Sequence, residues 1–275
     1  MKSKKKIKLV KVLLLIVILV CLALTARTYY LSMQHEKQQK TLKELKTMMQ
    51  TEMTENDAEQ QEGSEFVTTK TDNEEKEKKE EPDILKKYAA LYSENNHLVG
   101  WISINGMVID HPVMQCEDDE YYLNHDFYRN ESKYGCLYVR EKADVNTPGT
   151  NFIIYGHNMK DGAMFGDLDL YQNEKFYQEH SIISFDTLYE ERKYEIIAVF
   201  RSQVYNVDDD VFKYYQFYSA DTQKEFDYFY NNIKELSLYD TGVTAKFGDT
   251  FLTLSTCAYH VEDGRFVVVA KRITK

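Results

Sequence analysis

The segment TLSTCAYHVEDGR, residues 253–265, sets a thiol, an imidazole and a guanidinium close together behind an apolar, β-branched approach. Ser255, Thr256 and Cys257 are consecutive small polar residues where the apolar run stops. Such a triplet fills a core poorly and lines a cleft well, which makes Cys257 a candidate nucleophile. The competing reading is a small buried hydrophobe, the commoner fate of a cysteine. A nucleophilic thiol needs a proton partner, most often histidine. Of the seven histidines, His35 lies in a polar stretch near the amino end, His97 and His111 flank a hairpin, and His125 and His180 sit in polar contexts. His260 follows Cys257 by three residues, but no second Cys/His pair completes the zinc site that this spacing would suggest. His157, in NFIIYGHNM, comes straight after an apolar run and a glycine, and so also belongs to a strand end. The sequence permits its pairing with Cys257 without establishing it. Arg265 follows Glu262-Asp263-Gly264, a tight-turn composition, so the strands on either side are neighbours with Arg265 near Cys257. Its permanent charge suits an oxyanion, although a surface arginine at a strand start is common. Arg272 has the opposite facing parity.

Positioning these groups requires strands, and eight apolar runs supply them: VGWISI, MVIDHPV, GCLYVR, NFIIYG, SIISFDTL, RKYEIIAVF, FLTLSTC and RFVVVAKRI. Asn105-Gly106 between the first two is a strong hairpin signal. Helical spacing is confined to ILKKYAALYSENN, with Asp83 as N-cap and Ile84, Leu85, Tyr88, Leu91 and Tyr92 on one face, to about 170–180, and to 221–236. In the last of these Phe226, Phe229, Tyr230 and Ile233 share a face. Many strands with few helices indicate an all-β sandwich or barrel. A domain of about 190 residues buries enough surface to need neither disulfide nor metal.

The net charge of −11 argues against nucleic acid as a partner. Most of it comes from residues 51–83, with 13 acids against 4 lysines. Residues 1–11 instead carry six lysines and no acid, and residues 12–26 carry no charge. That pattern fits a cleaved signal peptide or an uncleaved anchor. The length of the apolar run, the lack of a small-x-small cleavage site near Ala26 and the interfacial Arg27, Tyr29 and Tyr30 favour the anchor. The positive-inside rule then puts the amino end in the cytoplasm and the bulk outside the cell. The expected organisation is a basic tail and transmembrane anchor over 1–30, a stalk and acidic flexible linker over 31–82, and a catalytic domain over 83–275. With Cys21 in the anchor, Cys116, Cys136 and Cys257 are an odd number, so at least one thiol is free.

TLSTC with an arginine eight residues on, together with YGHNM, the GWISI…VIDHPV hairpin and DEYYLNHDF, resembles the sortases, most closely class B, over residues 84–275. The resemblance implies a mainly β fold: a closed eight-stranded barrel with an N-terminal helix and one or two further helices. It implies a cysteine transpeptidase displayed on a Gram-positive cell membrane. In that scheme Cys257 attacks the carbonyl of a threonine in a C-terminal sorting signal. Arg265 stabilises the oxyanion, and His157 exchanges protons with the leaving and entering amines. Tyr155, Ser255 and Leu123 become candidates for the substrate groove. Sorting-signal proteins and an amine on a peptidoglycan precursor become the partners, with no cofactor and no metal. A pilin-polymerising enzyme of the same class, a papain-like or amidase thiol hydrolase, and a non-catalytic anchored binding domain are the alternatives.

Overall fold

A computed structural model describes residues 2–62, 83–259 and 261–274, with side chains placed from residue 11 to residue 53 of the first stretch. His260 and the linker residues 63–82 lie outside the described residues. The chain divides into two compact units, Met1–Thr47 and Met48–Lys275. In the first unit the helix α1 (Lys2–Glu62) begins, and its stretch from Lys11 to Met53 is long and apolar enough to cross a membrane. The apolar side chains from Val12 to Leu24 are about half exposed on it. The helix runs on to Glu62, so its end occupies part of the segment that composition assigned to a flexible linker. Glu, Gln, Ala and Met, which make up most of residues 51–62, are good helix formers, and this propensity favours continuing a helix already nucleated upstream.

In the second unit eight strands close into a barrel in the order β1-β2-β3-β4-β7-β8-β6-β5. They are β1 (Leu98–Ser103), β2 (Asp110–Met114), β3 (Leu137–Tyr138), β4 (Asn151–Gly156), β5 (Ile182–Thr187), β6 (Lys193–Gln203), β7 (Phe251–Cys257) and β8 (Gly264–Arg272). Each overlaps one of the predicted apolar runs; β1 and β8 begin one residue before theirs, and β6 continues three residues past its run to Gln203. Most neighbours are antiparallel, but β2 with β3 and β4 with β7 are parallel. In the β1–β2 turn Gly106 takes φ of +80° where Met107 N–H bonds the Ile104 carbonyl, a conformation open chiefly to glycine. The run GCLYVR yields only two strand residues. Its flanks pair elsewhere, with Cys136 N–H on the Tyr122 carbonyl and the Arg140 carbonyl taken by the Gln115 side chain.

Where β4, β7, β8 and β6 adjoin, the barrel wall is buried on both faces, which is why those strands read as near-continuous apolar runs, whereas β5 alternates. Inward go Phe152 and Ile154 of β4, Leu252 and Leu254 of β7, and Phe266, Val268 and Ala270 of β8. Outward go Ile153, Phe251, Val267 and Val269, covered by Phe226, Phe229 and Ile233 of α4 (Gln223–Leu236) and by Tyr214. A capping box starts α4: Thr222 Oγ1 accepts from Glu225 N–H, and the Glu225 carboxylate accepts from Thr222 N–H.

The first short helix, α2 (Lys86–Glu94), buries Tyr88 and Leu91 as its spacing predicts, but Asp83 does not cap it. Leu85 holds the N-cap position, and its N–H bonds the Leu188 carbonyl at 2.6 Å, so a tertiary bond sets the helix start. Between 166 and 179 two pieces replace the single expected helix: a 3-10 turn, Gly166–Gln172, and α3 (Glu174–Glu179), where Asn173 accepts from Lys175 N–H. All four cysteines are free thiols.

Phe229 is fully buried and stacks on Phe217 at 4.1 Å, so it pins α4 to the wall. Phe229→Ala should lower stability by about 3–5 kcal/mol, and Thr222→Ala by about 1 kcal/mol. Chemical denaturation would read both, and equal losses would show that the cap outweighs its ordinary value.

Candidate active site

The strands β4 and β7 run parallel in unbroken register, Tyr155 beside Ser255 and Gly156 beside Thr256. His157 is therefore one step past the end of β4, at the level where Cys257 ends β7. The turn after Cys257 is closed by Ala258 N–H on the Gly264 carbonyl and by Gly264 N–H on the Val261 carbonyl. Asp263, not the adjacent glycine, takes the left-handed backbone there, at φ of +52°. The chain returns along β8 with Arg265 directly opposite Cys257. Directly paired residues point to one side of a sheet. Cys257, Arg265 and Tyr155 thus share the outward face with Phe251 and Val267, and His157 has the same parity as Tyr155. All three of Cys257, His157 and Arg265 are half-buried. The Arg265 guanidinium donates through Nη1 to the Asp263 and Gly264 carbonyls, at 3.1 and 2.9 Å, which holds it at the turn.

The small polar triplet is used differently from its sequence reading. Thr256 is buried, its hydroxyl donating to the Gly156 carbonyl at 2.7 Å. Ser255, a groove candidate, is only 1% exposed, and its hydroxyl shares a 2.7 Å bond with Tyr214 Oη. Ser255 ties β7 to the Tyr214 segment that covers it outside, and Thr256, of the opposite parity, ties it to β4. Only Cys257 of the three reaches partly into the open.

His157 Nε2 lies 2.7 Å from the main-chain carbonyl oxygen of Leu123. Leu123, expected as a groove side chain, thus meets the site through its backbone, at the end of the 3-10 turn Tyr121–Leu123. Asn158, which the sequence reading passed over, donates from Nδ2 to the Cys257 carbonyl at 2.8 Å and to Asp169 Oδ2 at 3.4 Å. Its carboxamide joins the two strand ends where the ladder has stopped. The available signal was its place directly after His157.

A tyrosine surface extends from the site. Tyr155 stacks on Tyr138, ring centroids 5.6 Å apart, with the Arg140 guanidinium 5.2 Å over its ring. Burial pushes the Tyr138 phenol up to about 12, with the Arg140 and Arg265 charges working in the opposite direction and Asp119 and Cys257 adding to the rise. Burial pushes Tyr214 up to about 12 as well. Tyr155 is raised by burial, and its hydroxyl is enclosed without a hydrogen-bond partner among the described residues. These phenols stay protonated at neutral pH and can act as donors. The other thiols of this unit differ from Cys257 in setting. Cys136 is buried and its thiol is pushed far up by desolvation, while Cys116 is raised by burial, with the nearby Asp118, Asp119 and Glu117 charges adding to it.

The family model described as the sortase domain matches residues 102–273. The chain is 32% identical to sortase B of Listeria monocytogenes over 187 residues, covering 66% of this chain and 72% of that protein. Among solved structures, sortase B from B. anthracis in complex with AAEK1 superposes with a TM-score of 0.62 at 33% identity, covering 71% of this chain and 88% of that one. The Staphylococcus aureus sortase B–substrate complex gives 0.62 at 28% identity, over 70% and 87% of the two chains. With a cysteine, an arginine and a histidine gathered at one end of a closed eight-stranded barrel, the chain belongs to the sortase family and, within it, to class B, the cysteine transpeptidases.

Proposed function

We propose that this chain is a membrane-anchored transpeptidase that cleaves a C-terminal sorting signal after threonine and joins the released protein to an amine of a peptidoglycan precursor. The observation that carries the reading is the cross-strand pair Cys257–Arg265, with His157 one register step past β4. The Cys257 thiolate adds to the threonine carbonyl, forming the C–S bond and a tetrahedral oxyanion. Arg265 stands opposite and stabilises that charge without titrating. The C–N bond then breaks, and the imidazolium of His157 gives its proton to the departing nitrogen. What remains is a thioester and a neutral imidazole. The acceptor amine attacks the thioester, its proton passes to His157, and the thiolate leaves, restoring the starting charges. A S. aureus relative solved with a substrate supports a sorting-signal peptide in the groove. The resemblance to class B supports the peptidoglycan acceptor. The apolar stretch within Lys11–Met53, preceded by lysines, supports a single crossing with the amino end inside and the catalytic unit outside.

Cys257→Ala should abolish peptide cleavage and stop surface-protein anchoring in cells. Arg265→Ala should lower kcat/KM by roughly a hundredfold or more, and Arg265→Lys should not restore it. Peptide cleavage by the purified variants measures this, and full activity in Arg265→Ala would remove the residue from the mechanism. Alkylation at neutral pH should label Cys257 first. Cys116 and Cys136, whose thiols are raised, should react only as the pH is taken upward, with Cys136 also protected by burial. Labelling of either ahead of Cys257 in a mass-spectrometric time course would count against Cys257 as the nucleophile.

A further inference from the structure

An imidazole has two nitrogens, and a proton-transfer mechanism uses one of them. The Nε2 of His157 is 2.7 Å from the carbonyl oxygen of Leu123. A carbonyl oxygen only accepts, so Nε2 carries a proton in this contact whether the ring is neutral or cationic. Among the described residues nothing is hydrogen-bonded to Nδ1. We propose that the Leu123 carbonyl is a positioning group that fixes His157 as the Nε2–H tautomer, that Nδ1 is the nitrogen that gives and takes the proton in both half-reactions, and that Gly135 is the residue that allows the carbonyl to stand there. The proton-transfer part rests on the transpeptidase reading. The tautomer and the role of Gly135 in setting it do not.

The carbonyl is held from several directions. Leu123 ends a 3-10 turn whose Tyr122 is buried, and Tyr122 Oη bonds Asn95 Nδ2 and His97 Nδ1, each at 3.0 Å. The Tyr122 carbonyl accepts from Cys136 N–H at 2.8 Å, and the Asn124 carbonyl accepts from Ser132 N–H. Between these two bonds Gly135 passes directly against the turn, at φ of +58°. A Cβ on Gly135 would stand 2.3 Å from the Tyr122 oxygen, 2.6 Å from the Leu123 oxygen and 2.9 Å from the Leu123 carbonyl carbon. These are main-chain atoms that no rotamer change can move aside, so a methyl group there displaces the carbonyl that His157 uses. The left-handed backbone adds strain for any L side chain. Pairing a base with a fixed acceptor on its far nitrogen is the logic of the third member of a triad. Here a neutral main-chain oxygen serves, and it orients the ring without placing a second negative charge beside the thiolate.

The test uses the full chain in detergent, labelled with 15N-histidine, with the His157 signals assigned by their loss in His157→Gln. Long-range 1H–15N correlation spectra distinguish the two tautomers. At a pH where the ring is neutral, His157 is expected to give the Nε2–H pattern; an Nδ1–H pattern, or an averaged mixture, overturns the proposal without recourse to any variant. Gly135→Ala is expected to lower kcat for a sorting peptide at least tenfold while KM changes less than twofold, and to convert the His157 pattern to a mixture. A wild-type kcat in Gly135→Ala, or a lost kcat with the tautomer unchanged, overturns the role of Gly135. A wild-type chain that shows the Nε2–H pattern but cleaves no sorting peptide overturns the transpeptidase reading, and the proton-transfer part falls with it while the tautomer stands.

Discussion

The parallel pairing of β4 with β7 is the constraint from which the site follows. Two parallel strands deliver their carboxyl ends to the same edge of a sheet, so His157 and Cys257 come to the same level without any special loop. Parallel neighbours cannot be joined by a tight turn. The chain between them is accordingly long enough to hold α3, β5, β6 and α4. The antiparallel β7–β8 hairpin then brings Arg265 to the thiol from the other side. One parallel contact therefore brings in His157 from a hundred residues upstream, and one antiparallel contact folds Arg265 back onto Cys257 from eight residues downstream.

Burial on both faces gives that assembly its rigidity. Were the outer wall solvated, Phe251, Val267 and Val269 would be exposed and the outward side of β7 would be free to breathe. Instead α4 and the Tyr214 segment cover it, and Ser255 is tied to Tyr214. Covering stops at Cys257, the one outward residue of β7 left partly open beside the turn. The Cys257 thiol is partly open because it lies at the margin of a packed wall.

Strand positions were legible because a wall buried on both faces leaves long β-branched and aromatic runs. The Cys257–Arg265 contact was legible too, since a short polar turn between two apolar runs makes their flanks neighbours. Other features depended on tertiary bonds that carry no residue-type signature. Asp83 has the composition of a cap, but Leu85 begins the helix because its N–H pairs with Leu188. GCLYVR reads as a six-residue strand and is cut to two because loops claim its flanking groups. Ser255 and Thr256 looked like cleft lining, yet the Ser255 hydroxyl is bonded to Tyr214 of the covering segment and the Thr256 hydroxyl to Gly156 on the neighbouring strand. The hold on His157 was hidden for the same reason, being a backbone oxygen available at nearly any residue.

Ring closure has a consequence for how an extended peptide can be held. Sheet proteins often capture a peptide by letting it join as one more strand, which reads main chain and tolerates many side chains. The strands β7 and β8 of this barrel are paired along both edges and offer no such vacancy. What this outward face offers a ligand is side chains, among them the stacked rings of Tyr138 and Tyr155 and the guanidinium of Arg140. Discrimination among peptides can then shift by exchanging a few surface side chains while the hydrogen-bonded ring beneath them stays as it is.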